Sequence, residues 1–157
     1  MRRGISFIEV IIVIGVLLTL IGMASISFLP FRSKSALDTA ITTLMADLRS
    51  QQIKAMTGDT EGRSACVNYG FYFGNSSYTL FHGTSFNSND TSNFTVSLDG
   101  EIQIQSTFPS TQIIFSIKNG EVISFSQGQN SITLRDTIAQ DSKTININRY
   151  GVITQVN

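Results

Sequence analysis

The fold is decided by the stretch MRRGISFIEVIIVIGVLLTLIGMASISFLP, residues 1–30. It opens with a short basic segment that ends at Gly4, and an apolar run from Val10 to Leu29 contains no charge. About 20 apolar residues is the length of a transmembrane helix. The two arginines ahead of the run would hold that end in the cytoplasm. The pattern therefore predicts a membrane-spanning helix with the rest of the chain outside the cytoplasm.

Glu9 stands at the border of this apolar run and separates three interpretations. A plain signal anchor and an ordinary cleavable signal peptide both fit the run, and Gly22-Met23-Ala24 offers the small residues that a signal peptidase prefers before Ser25. Neither accounts for the carboxylate. A charge costs about 2.5–3.5 kcal/mol at the centre of a membrane helix and less near its end. An acidic residue at this position therefore indicates a function.

The segment Arg3 to Val10, RGISFIEV, resembles the prepilin signature of type IV pilins and type II secretion pseudopilins. In that family a dedicated peptidase cuts after the glycine that ends a basic leader. The new N-terminus is methylated, and a glutamate stands fifth in the mature chain. The resemblance implies cleavage between Gly4 and Ile5, N-methylation of Ile5 and a role for Glu9 in subunit assembly. Two departures are mild: the first mature residue is usually Phe, and the helix proline usually lies about one turn before Pro30.

The resemblance also implies how the subunits assemble. The amine of Ile5 is positive at neutral pH, and Glu9 of one subunit can pair with it on a neighbour, which removes much of the penalty of an isolated charge. The implied partners are prepilin peptidase, other pilin or pseudopilin subunits, an inner-membrane assembly platform and membrane lipid before assembly. The implied location is the inner membrane, single-pass with the C-terminal domain outside the cytoplasm, and then the pilus or pseudopilus. No cofactor, metal or catalytic site is expected, and nucleic acid is not an expected partner.

A helical pattern continues beyond Pro30. Apolar residues recur at spacings of three, four and seven, which predicts an amphipathic stripe, while Gln51 is assigned to the other faces. The stripe consists of Ile41, Leu44, Met45, Leu48, Ala55 and Met56. Gly58 is a candidate C-cap. One helix from Ile5 to Thr57, kinked at the proline, would be about 80 Å long.

From Cys66 the apolar period changes to two, which predicts antiparallel strands. Asp99-Gly100 and Asn119-Gly120 are strong two-residue hairpin turns, and the last two strands are expected to pair across Arg149-Tyr150-Gly151. The segments Val67–Phe81 and Thr144–Ile153 resemble the first and last hairpins of H-type pseudopilins and FimT-like minor pilins. The predicted strands centre on Tyr69–Phe73, Tyr78–His82, Phe94–Leu98, Ile102–Ile104, Ile113–Ile117, Val122–Phe125, Ile132–Leu134, Ile145–Ile147 and Val152–Val156.

The expected fold class is therefore α+β. A long N-terminal helix, transmembrane in its first half and amphipathic in its second, packs on an antiparallel β-hairpin-rich C-terminal domain. The expected organisation is a prepilin leader at 1–4, a transmembrane and filament-core helix at 5–31, and an extracytoplasmic globular domain at 32–157. In that domain the helix continues to about residue 57 and β structure follows.

Composition argues against most enzyme classes. The chain has 14 % charged residues, a net charge of zero, one histidine and one cysteine. His82 is expected to be a solvent-facing structural residue, and Cys66 a buried, inert thiol. No nucleophile elbow or phosphate-binding glycine loop is present. The polar segment Gly83–Asn93 predicts an exposed loop.

The main interpretation is a structural subunit, a minor pilin or pseudopilin, of a type IV pilus or a type II secretion pseudopilus. A DNA-binding minor pilin of a DNA-uptake pilus would need a basic patch, yet beyond Arg32 eight Lys and Arg face ten Asp and Glu. The only local basic excess is Arg135, Lys143 and Arg149. A third interpretation is a secreted β-rich binding module behind an ordinary signal peptide. Sequencing the mature N-terminus separates the secreted module from both pilin interpretations, since a pilin begins at Ile5 and the secreted module at Ser25.

Overall fold

The computed structural model describes residues 7–157 and, within them, all side chains except those of residues 24–34. One helix precedes eight strands. In chain order the elements are α1 (Phe7–Thr57), β1 (Tyr69–Phe73), β2 (Ser77–His82), β3 (Phe94–Ser97), β4 (Ile102–Ser106), a single 3-10 turn (Pro109–Thr111), β5 (Gln112–Phe115), β6 (Ser131–Asp136), β7 (Ser142–Ile147) and β8 (Ile153–Val156).

The strands form two four-stranded sheets in which every pairing is antiparallel. The first sheet has the order β3-β2-β1-β5, and the second has the order β4-β6-β7-β8. Consecutive strands pair in β1–β2, β2–β3, β6–β7 and β7–β8. The pairings β1–β5 and β4–β6 join strands that are distant in sequence, so these two contacts close the domain.

The core lies where the second half of α1 meets both sheets. Leu37, Leu44 and Ala55 are fully buried on the helix. Aromatic side chains dominate the inner face of the first sheet, because strands select β-branched and aromatic residues that pack on a pleated surface. The sheet residues of the core are Tyr69, Phe71, Phe73, Tyr78, Ile102, Ile104, Ile113, Phe115, Ile132, Leu134, Ile145 and Ile147.

Gly58 ends α1 as the sequence predicts. Its φ of +67° places it in the left-handed region that glycine adopts without steric cost. The Gly58 N–H donates to the Ala55 carbonyl at 3.3 Å, and the Asp59 N–H donates to the Lys54 carbonyl at 3.0 Å. These two bonds are the Schellman pattern, which satisfies carbonyls at the end of a helix.

Four pairs of consecutive strands form hairpins, but the hairpin expected at Asp99-Gly100 is wrong. The strands flanking Asp99-Gly100, β3 and β4, belong to different sheets, so this turn joins the two sheets. The segments on either side of Asn119-Gly120 are joined by a single antiparallel bridge, between Phe115 and Val122. Turn chemistry acts locally, whereas strand pairing is decided by which faces can be buried together. β5 pairs instead with β1, and its residues Ile113 and Phe115 are buried in the core.

The transmembrane first half of the expected fold is also corrected. Among the residues that the structure describes, no helix is long and apolar enough to cross a membrane. The same finding contradicts the expected location as a single-pass inner-membrane protein. Nor does α1 pack on the domain along its whole length, because the side chains from Phe7 to Met23 are exposed.

Candidate assembly surface and polar clusters

The N-terminal part of α1 presents apolar side chains that no other part of the described chain covers. Their exposed fractions run from 44 % for Val10 to 82 % for Phe7. Thr19 donates its hydroxyl to the Val16 carbonyl at 2.8 Å, so this polar group is satisfied within the helix. Large exposed apolar patches mark interaction sites. We call this segment, Phe7–Met23, the apolar arm.

Glu9 is the only charged residue of the apolar arm. It is exposed and lies in the first turn of α1, where a carboxylate interacts favourably with the positive end of the helix dipole. That interaction is compatible with a second one to another chain. The other two predicted site residues, Gly4 and Ile5, lie outside the described residues, as does the predicted leader at 1–4.

The amphipathic stripe is confirmed at most of its positions. Ile41, Leu44, Leu48 and Ala55 are at most 3 % exposed, because they face the sheets. Met56 is 49 % exposed and does not belong to the stripe. The prediction from the helical period is also wrong at Gln51, which was assigned to a polar face but is 4 % exposed.

A polar cluster ties the end of α1 to the first sheet. Lys54 donates to Glu61 at 2.5 Å, and Glu61 in turn lies 2.9 Å from Nε2 of His82. Arg63 donates to Nδ1 of His82 at 2.8 Å. Because a guanidinium can only donate, Nδ1 is the acceptor and the proton lies on Nε2, which donates to Glu61. The expectation that His82 faces solvent is wrong, since its side chain is 11 % exposed.

The electrostatics of this cluster follow from its contacts. The hydrogen bond from Lys54 lowers the pKa of Glu61, with further lowering from His82. Burial lowers the pKa of His82, and the nearby Arg63 charge adds to the effect. Both shifts favour a neutral imidazole beside an ionised carboxylate. The cluster connects the end of α1 to the first sheet and has a structural role. Among the described serine and cysteine side chains, only the Ser92 hydroxyl contacts His82, at 3.4 Å.

Cys66 does not have the predicted environment. The thiol is exposed and donates to the Gly58 carbonyl at 3.1 Å. It lies in the loop between α1 and β1, before the strand that was expected to bury it. The alternating pattern in fact begins at Tyr69.

Two carboxylates at the turn between β6 and β7, Asp136 and Asp141, accept backbone N–H groups of that turn. One oxygen of Asp136 accepts the N–H groups of Ile138 and Ala139, both at 2.8 Å. Asp141 accepts the N–H of Ser142 at 2.8 Å. No group of three or more His, Cys, Asp or Glu side chains in the described part of the chain is arranged to hold a metal ion.

Each residue of the local basic excess has a side-chain partner. Arg135 donates to Gln140 at 2.5 Å, Lys143 is ion-paired with Asp38, and Arg149 lies 3.8 Å from Glu121. Phosphate binding needs basic groups that are free to replace counterions. These pairings therefore give no support to the DNA-binding interpretation.

Compared with known proteins, the chain matches no protein family, no curated protein and no solved structure. The resemblance of residues 3–10 to the prepilin signature is thus a prediction from the sequence alone. The sequence also missed a groove beside β3, because Phe94, Val96 and Leu98 indicated only that a strand is present.

Proposed function

We propose that this chain is a structural subunit, a minor pilin or pseudopilin, of a type IV pilus or a type II secretion pseudopilus. It is processed by prepilin peptidase and joins the filament through the N-terminal part of α1. The observation that carries the proposal is the apolar arm, a helical segment whose side chains the rest of the described chain leaves uncovered. The sequence of residues 3–10 supplies the processing signal.

The energetics support packing of several such arms. Fully burying a Leu, Ile or Val side chain contributes about 1.5–3 kcal/mol. The side chains of the apolar arm are roughly half exposed, so covering ten of them contributes on the order of 10 kcal/mol. Association itself costs about 4–15 kcal/mol. Contact with more than one neighbour makes the balance favourable, which suits a filament better than a dimer.

Glu9 gives the packing its register. Apolar contacts alone tolerate sliding of one helix along another, whereas a carboxylate among apolar neighbours needs a partner. We infer that Glu9 of one subunit pairs with the amine of Ile5 on the next. Prepilin peptidase and related subunits are then the partners of the chain.

The experiment compares Glu9→Gln with Glu9→Asp in cells that assemble the filament. Both variants should be cut after Gly4, as intact mass reports. Glu9→Gln should lower recovery in sheared filaments at least tenfold, with loss of crosslinks to neighbouring subunits, while Glu9→Asp retains the charge and most of the assembly. Normal assembly of Glu9→Gln would refute the role of this carboxylate. A mature protein that begins at Ser25 would refute the pilin proposal and leave the secreted module.

A further inference from the structure

Among the described residues, no strand pairs with the outer edge of β3. The other outer strands are partly occupied: the Ile123 N–H reaches Ile114 of β5 at 2.8 Å, and Ile104 of β4 donates to Asn75 at 2.7 Å. The pairing that places β8 contains a register shift. By contrast β3, with the sequence FTVS, pairs regularly with β2 and carries no charge, proline or bulge. Natural edges are usually blunted by such features, so this edge is available for pairing.

The register identifies the free backbone groups of β3. Leu98 donates its N–H to the Ser76 carbonyl at 2.9 Å, one step beyond the pair Ser77–Ser97. Hydrogen-bonded and non-bonded pairs alternate in an antiparallel ladder. Phe94 and Val96 therefore bond to β2, and the N–H and C=O groups of Thr95 and Ser97 point outward.

A groove runs beside this edge, between β3 and α1. Two cavities follow one another along the helix from Ser35 to Lys54, a distance of about 28 Å. The first has a volume of about 720 Å³ and is lined mainly by small and apolar side chains. Ala40 on the helix and Val96 on the strand both line this cavity. The second has a volume of about 330 Å³ and is polar.

The polar end of the groove contains the carboxylate of Asp47. Asp47 accepts the Tyr78 hydroxyl at 2.6 Å and has no cationic partner in the described part of the chain. Gln51 lies one helical turn further on, on the same face, and its buried Oε1 has no hydrogen-bond partner. The exposed ring of Phe94 borders the same cavity. A carboxylate beside an aromatic face suits an ammonium or guanidinium group.

The charge of the whole groove agrees with this chemistry. Its lining contains three carboxylates, from Asp47, Glu61 and Asp99. Glu61 is already paired with Lys54 and Arg63, so the carboxylates without a cationic partner among the described residues are Asp47 and Asp99. His82 lines the polar end as a neutral imidazole. The groove therefore attracts a cationic segment and repels an anionic one.

We propose that the groove binds an extended segment of a partner protein, which adds to the first sheet as a strand beside β3. The outward groups of Thr95 and Ser97 supply the main-chain hydrogen bonds. Val96 and Phe94 are two residues apart on one face, so the segment carries an aliphatic side chain over Val96 and, two residues away, an Arg or Lys side chain over Phe94. This partner is separate from the filament contacts of the apolar arm.

The test uses the full-length chain and fluorescently labelled seven-residue peptides. The probe is Ser-Thr-Val-Thr-Arg-Thr-Ser, and the control replaces its Arg by Glu. The Arg peptide should raise fluorescence polarisation with at least tenfold tighter binding than the Glu peptide. N-methylation of the alternate amides that face β3 should abolish binding, while methylation of the opposite set should not. No binding of the Arg peptide up to about 1 mM, the weak end of specific affinities, would overturn the proposal.

Matched variants test whether the peptide binds to the backbone of β3. Thr95→Pro removes an outward N–H and is tolerated on an edge, whereas Thr95→Val loses the hydroxyl bond to Thr79 but keeps the N–H. Circular dichroism melting should show both folded, and only Thr95→Pro should lose the peptide at least tenfold. Ser97→Pro serves in its place if Thr95→Pro does not fold. Equal binding by the Pro and Val variants contradicts strand addition. An Asp47→Asn variant that keeps the full tenfold preference for the Arg peptide contradicts the cation subsite.

Self-association is the remaining outcome. If sedimentation shows a dimer of the full-length chain that Thr95→Pro dissociates, the occupant of the edge is a second copy and the partner assignment is wrong. A dimer that Thr95→Pro leaves intact, together with Arg-selective peptide binding, supports the proposal. The apolar arm would account for such a dimer, and Leu17→Ala should weaken it.

Discussion

One substitution made at two places on α1 separates the roles of its two parts. Leu17 in the apolar arm is 51 % exposed, and Leu44 in the core is fully buried. Both are leucines in the interior of the same helix, so replacement by Ala changes helix propensity equally, and slightly in favour of the helix. Any difference between the two variants therefore reports what each side chain contacts.

The magnitude follows from burial. Leu44→Ala removes a fully buried side chain of the core, and such substitutions cost about 2–5 kcal/mol through lost transfer energy and a residual cavity. Leu17→Ala leaves no cavity in the domain, and exposed substitutions usually stay within about 0.5 kcal/mol. We expect a difference of at least about 2 kcal/mol in the free energy of unfolding.

The assay is urea unfolding followed by far-UV circular dichroism, since the chain has no tryptophan. Filament recovery should rank the variants in the opposite order after correction for protein level, because Leu17 contributes to contacts between subunits. A loss above about 2 kcal/mol for Leu17→Ala, or a silent Leu44→Ala, would refute the division of the helix.

Three further predictions concern the domain. In Gly70→Ala a new Cβ would stand 2.5 Å from Phe81 and 3.0 Å from a backbone oxygen, so unfolding should become easier by about 1–3 kcal/mol, and a Phe81→Leu double-mutant cycle in urea should recover part of the loss. Gly58→Ala strains a left-handed position and should lower stability by about 1 kcal/mol, measured as a lower melting temperature. His82 has a lowered pKa, so the unfolded chain binds its proton first and stability falls as pH drops below 6.5. His82→Gln should flatten that fall in unfolding midpoints measured from about pH 7.5 to 5.5.

Local signals in the sequence predicted local structure well. Alternating residues located β1, β2, β6 and β7, and the pattern across Arg149-Tyr150-Gly151 predicted the β7–β8 hairpin, which is confirmed. Gly58 was predictable because a helix end needs a left-handed residue. These features depend on a few neighbouring residues, so the sequence carries them directly.

Pairing between distant segments was not predictable in the same way. Asp99-Gly100 has the composition of a hairpin turn, yet the strands on either side bury their apolar faces in different sheets. The predicted exposure of Gln51 and the predicted burial of Cys66 were wrong for a related reason. Each was judged from its neighbours in sequence, whereas burial depends on what the rest of the fold places against the residue.

The sequence can show that a surface needs a partner sooner than it can show which partner. Residues 10–23 are apolar on every face of the helix, and this pattern requires cover from outside the domain whatever that cover is. Glu9 restricts the choice, because the cover must also satisfy a charge. The domain is closed without the apolar arm: the Schellman bonds at Gly58 finish the helix, and the contacts of Glu61, Arg63 and His82 fasten its end to the first sheet. Changes in the arm can therefore alter assembly without unfolding the domain, and the β3 groove can select a partner independently of both.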